Sequence, residues 1–161
     1  MQVQSSDIRD YLAATAILDW QGTEVESKSN QLTKYCRTDF EKAEVLFRWV
    51  RDEIPHSKDI ESTLVTCTAT EVLAAGTGIC FAKSHLLAAM LRAQGIPAGF
   101  CYQVLAHDPP YNGMTLHGLN AVYLGAEHQW FRIDCRGNTG SCKAEFAQNP
   151  ERLAFTMNSE R

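Results

Sequence analysis

The sequence predicts an α+β protein in which N-terminal helices and one buried, cysteine-led helix pack on an antiparallel β-sheet. Three observations carry this expectation. Apolar residues recur at three- and four-residue intervals in the first third of the chain. A nearly uninterrupted apolar segment then follows a Gly-Thr-Gly entry, and after Pro97 the pattern changes to short aromatic and β-branched runs separated by turn residues.

Taken in order, residues 24–35 form a weakly patterned helix with Val25, Leu32 and Tyr35 as its anchors. Thr38-Asp39 caps a stronger one, in which Phe40, Ala43, Leu46, Phe47 and Val50 share a face until Ile54-Pro55 stops the pattern. Residues 55–68 are polar and turn-rich, as expected of a surface loop that rims a site. A short helix over residues 70–75 ends at Gly76. Gly76 and Gly78 permit backbone torsions that other residues avoid, and they deliver the chain into a helix over residues 81–94 with Cys80 at its N-terminus. That helix is apolar almost all round, so it is expected to be the buried central one, closed by Gly95-Ile96-Pro97.

Strands are expected over residues 99–105, 117–124 and 129–134. The turn cluster of residues 108–113 separates the first two, and the hairpin-length connection 125–128 separates the last two. A further turn cluster covers residues 137–141, and Phe146, Leu153 and Phe155 are scattered apolar anchors beyond it. No repeat, low-complexity tract or domain boundary interrupts residues 1–161, which read as a single domain.

Composition narrows the function. Of the 161 residues 45% are hydrophobic and 21% charged, ordinary for a globular chain that buries roughly 70% of its surface on folding. Fifteen Lys and Arg against nineteen Asp and Glu give a net charge of -4, without a basic block, so no nucleic-acid partner is expected. Trp49 and Trp130 then read as packing residues rather than base-stacking platforms. Residues 1–7 lack a basic segment leading into an apolar one, and the longest weakly polar stretch, residues 81–91, is too short to span a bilayer. A soluble cytoplasmic protein with no membrane partner is the expectation. Six cysteines without CxxC spacing disfavour zinc ribbons and thioredoxin-like chemistry, and a disulfide framework is not expected in that compartment. Neither a metal site nor a cofactor is predicted; Cys135, Cys142 and His128 lack ligand spacing.

One constellation suits nucleophilic chemistry. The start of a helix stabilises a thiolate through its partial positive charge and free N–H groups, and Cys80 occupies such a start. His117 lies 37 residues downstream at the start of a predicted strand, and Asp134 at the end of the next. Antiparallel pairing of those strands makes the two neighbours, with the carboxylate orienting the ring. Each has a plainer reading: Cys80 as a small core residue, His117 as a polar strand opener, Asp134 as a turn former. His85, one turn into the buried helix, reads as a hydrogen-bonded core residue rather than a second base.

These pieces also resemble a known family. Residues 69–80 with Leu91-Arg92-Ala93-Gln94-Gly95-Ile96-Pro97-Ala98 resemble the nucleophile helix of the transglutaminase-like superfamily. Leu116-His117-Gly118-Leu119-Asn120 is similar to its histidine strand, Trp130-Phe131-Arg132-Ile133-Asp134 to its aspartate strand, and Phe47-Arg48-Trp49-Val50-Arg51 to the preceding helix. The similarity covers residues 38–140. It implies a papain-like α+β fold with a Cys-His-Asp triad at Cys80, His117 and Asp134, acting on a peptide or protein amide through a cysteine thioester. Water as acceptor makes such a protein a cysteine protease or amidase, the expected outcome. An amine acceptor makes it a protein-glutamine transglutaminase, and loss of turnover a peptide-binding module. Two positions depart from the family pattern: Leu119 stands where many relatives carry an aromatic residue, and so does His56, in the cleft or on the surface. The chain also lacks flanking β-domains and an acidic calcium loop, which argues against calcium-dependent crosslinking.

Overall fold

A computed structural model describes residues 3–106, 110, 112–126 and 128–155. Residues 108, 109 and 111 of the predicted 108–113 turn, Glu127 of the 125–128 connection and residues 156–161 lie outside the described residues. The elements run α1 (Glu24–Thr33), α2 (Asp39–Glu53), α3 (Ala69–Ala75), α4 (Cys80–Ala93), β1 (Ala98–Ala106), β2 (Met114–Leu124), β3 (Gln129–Ile133), β4 (Glu145–Gln148) and β5 (Glu151–Arg152), after a 3-10 turn at Ile8–Tyr11.

Both α2 and α3 begin with reciprocal capping boxes, Thr38 with Glu41 and Thr68 with Glu71, each satisfying two otherwise orphaned N–H groups. The second box starts α3 one residue before the expected helix. Gly76 ends α3 in the left-handed region, φ +66°, with its N–H donating to the Val72 carbonyl. On α2, Ala43, Leu46, Phe47 and Val50 are buried as the periodicity requires. Phe40 is more exposed, yet its ring meets Phe146 edge-on, 5.2 Å between centroids.

The weak pattern of α1 has a physical reason. Val25 is buried, but Tyr35 is exposed and anchors nothing, which corrects the sequence expectation. Leu32 packs against the core as expected, and hydroxyls add to the hold: Ser29 Oγ donates to the Met90 carbonyl at 2.9 Å, and Thr33 Oγ1 bonds the Ser29 carbonyl and Gln94 Oε1. Hydrophobic periodicity does not register such contacts.

α4 is the centre of the core, packed against α1, α2, α3, β1 and β2. Leu86, Leu87, Met90 and Leu91 are fully buried, each worth about 1.5–3 kcal/mol relative to exposure. Two buried cations break its apolar surface. Arg92 donates to the Ala98 carbonyl from Nε and Nη2 and to the Ala13 carbonyl from Nη1, tying the N-terminal segment to β1. Lys83 donates through Nζ to the carbonyls of Arg51 and Arg136.

β1, β2 and β3 form one antiparallel sheet in that order, with Gln103 opposite His117 and Asn120 opposite Ile133. β2 starts three residues before the expected strand. β4 and β5, which carry too few residues for a legible alternation, form a separate hairpin. It is joined to β3 by Arg132, whose Nη2 pairs with Glu151 Oε2 at 2.6 Å. Trp130 packs as predicted, against Tyr11 and Tyr123, while Trp49 lies against the core under the Lys28 ammonium.

Candidate active site

Cys80 is the first residue of α4, and the residue before it, Ile79, supplies no side-chain cap. Its amide donates instead to Nε2 of His56 at 3.1 Å. The 55–57 segment is laced to the α4 entry for this purpose. His56 bridges Gly78 in parallel, Ser57 N donates to the Gly78 carbonyl, and Thr77 Oγ1 donates to the Pro55 carbonyl. His56 thus lies buried in the cleft, on the thiol, which answers the alternative the sequence leaves open. Gly78 is required by space rather than by torsion: a Cβ there would stand 2.9 Å from Ala82 Cβ and 3.1 Å from Thr66 Oγ1.

On β2, His117 turns Nε2 toward Asp134 Oδ2 at 2.8 Å, leaving Nδ1 for the thiol. Both side chains are buried. Asp134 has two further donors: the Arg136 amide at 3.1 Å on Oδ1 and the Ala154 amide at 3.0 Å on Oδ2. The Phe155 ring meets the imidazole edge-on at 4.9 Å, excluding water from one side. The fold therefore brings Cys80, His117 and Asp134 together as the strand register requires, and adds His56, Ala154 and Phe155, which sequence reasoning did not place there.

The electrostatics follow from these contacts. Burial alone would push the Cys80 thiol up, but hydrogen bonds from His117, His56 and the Gly118 backbone outweigh it and bring the pKa from 9.0 down to about 6. For His117, burial would depress the pKa; the bonds to Asp134 and Cys80 override it and raise the value from 6.5 to about 9. Thiolate and imidazolium consequently coexist across neutral pH. Two other cysteines shift the opposite way: burial pushes Cys135 up to about 12 and also raises Cys101. Cys36, Cys67, Cys80, Cys135 and Cys142 form no disulfide.

Around this centre, Arg136 pairs with Asp59 at 2.8 Å, joining the turn after Asp134 to the His56 turn, where the Asp59 amide donates to the His56 carbonyl. His85 is half-buried, with Nδ1 on the Cys67 carbonyl at 2.7 Å and its ring against Phe100, a hydrogen-bonded packing residue. Among the described residues no cluster of three or more His, Cys, Asp or Glu could hold a metal, and no helix is long and apolar enough to cross a membrane.

A cysteine at a helix start facing a strand-borne histidine, with helices on one side of an antiparallel sheet, is the architecture of transglutaminase-like and cysteine protease folds. The model of the transglutaminase-like superfamily matches residues 26–135, and the chain belongs to that superfamily. No curated protein matches it. Among solved structures, it is similar to a candidate cysteine protease from Cytophaga hutchinsonii, at 19% identity and TM-score 0.65 over 82% of this chain and 43% of that one. It is also similar to the periplasmic domain of TgpA from Pseudomonas aeruginosa, at 15% identity and TM-score 0.58 over 80% of this chain and 46% of that one. A candidate protease from Parabacteroides distasonis is similar at 18% identity and TM-score 0.51, over 76% of this chain and 24% of that one. The chain spans less than half the length of each.

Proposed function

We propose that the protein is a thiol-dependent enzyme that opens amide or peptide bonds, with Cys80 as nucleophile, His117 as general acid and base and Asp134 as its orienting carboxylate. The observation that carries this reading is the placement of the Cys80 thiol at the start of α4 against His117, an imidazole held 2.8 Å from the buried Asp134 carboxylate, which lowers the thiol to about 6 and raises the imidazole to about 9. Such a pair holds a charged nucleophile and a proton donor at the same pH.

In the first half-reaction the Cys80 thiolate attacks the carbonyl carbon, and the π pair moves onto oxygen. The Cys80 amide, at the positive end of α4, is placed to receive that oxyanion once His56 gives up its bond. Imidazolium His117 then passes its proton from Nδ1 to the leaving amine as the C–N bond breaks, leaving a thioester on Cys80. In the second half, His117 removes a proton from water, which attacks the thioester; the carboxylic acid departs and the thiolate is restored. Water at about 55 M outcompetes any amine not held at a comparable effective molarity, so hydrolysis is the assigned outcome. The free thiols support a reducing, cytoplasmic location, which cell fractionation would check.

The deciding experiment is the pH dependence of iodoacetamide alkylation, read peptide by peptide by mass spectrometry. Cys80 is expected to label fast from about pH 6 upward, ahead of the other five cysteines. In His117→Ala that advantage should disappear. Labelling of Cys80 no faster than its neighbours would sink the reading.

A further inference from the structure

The β1–β2 ribbon continues past the N-terminal end of α4, and its register sets Tyr102, Val104 and Ala106 opposite Gly118, Leu116 and Met114. Side chains alternate along a strand, so these share one face, while the intervening pair Gln103 and His117 is buried on the other. Large apolar groups on the first face lie open: Tyr102 is 57% exposed, Val104 59%, Leu116 48% and Met114 69%. The face begins beside the thiol. Phe81, next to Cys80, lies so close over Gly118 that a Cβ there would approach its ring to 2.8 Å, and its centroid is 5.9 Å from that of Tyr102.

Neither β1 nor β2 contains an Asp, Glu, Lys or Arg, although 21% of the chain is charged. β1 is moreover an edge strand of its sheet. Exposed edges are ordinarily blunted by charge, and contiguous open apolar surface marks a binding face. A charged substrate group laid here would lose water and gain no partner.

We propose that this face is a specificity subsite, on which the substrate seats a bulky apolar side chain within two residues of the scissile carbonyl against Tyr102, Val104 and Leu116. The inference rests on the assignment of Cys80 as nucleophile. Its occupant is an extended peptide rather than a second copy, because the face starts at Gly118, whose backbone bonds the Cys80 thiol, so a chain laid on it lies within reach of that thiol.

The test uses two electrophiles that differ in one side chain, acetyl-Leu-Ala-fluoromethyl ketone and its Glu-Ala counterpart. In each, the Cys80 thiolate displaces fluoride and forms a thioether. Rates are divided by the iodoacetamide rate of the same variant. The leucine probe is expected to react at least about tenfold faster than the glutamate probe. That ratio should fall toward one in both Leu116→Lys and Val104→Lys, two exposed positions whose variants are verified as folded by thermal melting. A wild-type ratio near one with a fast Cys80 would overturn the subsite and leave the nucleophile standing. A slow Cys80 in iodoacetamide would remove both. A dimer in sedimentation that dissociates in Leu116→Lys, with the ratio unchanged, would also overturn the subsite.

Discussion

Nε2 of His56 lies 3.1 Å from the backbone nitrogen of Cys80, so one imidazole caps the helix and faces the thiol at once. The bond from His117 lowers the thiol pKa more than the bond from His56 does. His56→Ala should therefore move the onset of Cys80 alkylation upward from about 6, by less than His117→Ala moves it. An unchanged pH profile in His56→Ala would reduce His56 to a scaffold residue.

Asp134→Asn separates charge from shape. An amide keeps one acceptor oxygen but no longer favours imidazolium, so His117 should drop from about 9, because only its contact with Cys80 then opposes burial. The expected result is loss of the neutral-pH plateau in alkylation and a fall in amide turnover of about 10²–10⁴-fold. The imidazole titration, followed by NMR in wild type and variant, checks the cause directly.

Gly118→Ala tests how closely β2 approaches α4. The added methyl would stand 2.8 Å from the Phe81 ring, which packs between β2 and Tyr102. Overpacking of this kind costs about 1–3 kcal/mol. The thermal midpoint should fall, and Cys80 reactivity with it, because the Gly118 backbone also bonds the thiol. A variant as stable and as reactive as wild type would refute the contact.

Lys83 makes a prediction in pH. Burial lowers its pKa from 10.5 to about 8, so between those values the unfolded chain holds a proton that the folded chain has released. Stability contributed by this group accordingly rises with pH across that window and is lost as pH falls through about 8. Lys83→Met removes the titration and leaves two buried carbonyls without their donor, at about 1–3 kcal/mol each. Denaturant unfolding of both proteins from pH 7.5 to 10 should show the gap widening toward the alkaline end. A constant gap would mean that Lys83 titrates normally.

Where the backbone pattern is regular, the sequence was legible. The periodicity of α2, the Gly-led entry to α4 and the strands around His117 and Asp134 fix the class of fold and point to the three proposed site residues, because each signal is local. His56 was visible as a departure but could not be placed, since its contact with Cys80 spans 24 residues and depends on a bridge between two loops. Tyr35 misled because apolar spacing cannot distinguish a core residue from an exposed one when hydroxyls help hold the helix. The β4–β5 hairpin, with strands of four and two residues, offers no alternation to read.

The dependence of Asp134 on Ala154, and of His117 on Phe155, also concerns timing. On a ribosome, Cys80 emerges some seventy residues before these two. A nascent chain that has already formed α4 and the sheet still lacks a donor to its carboxylate and the ring that shields its imidazole. The hydrogen-bonding and packing shell around Asp134 and His117 is thus complete only once Ala154 and Phe155 have docked.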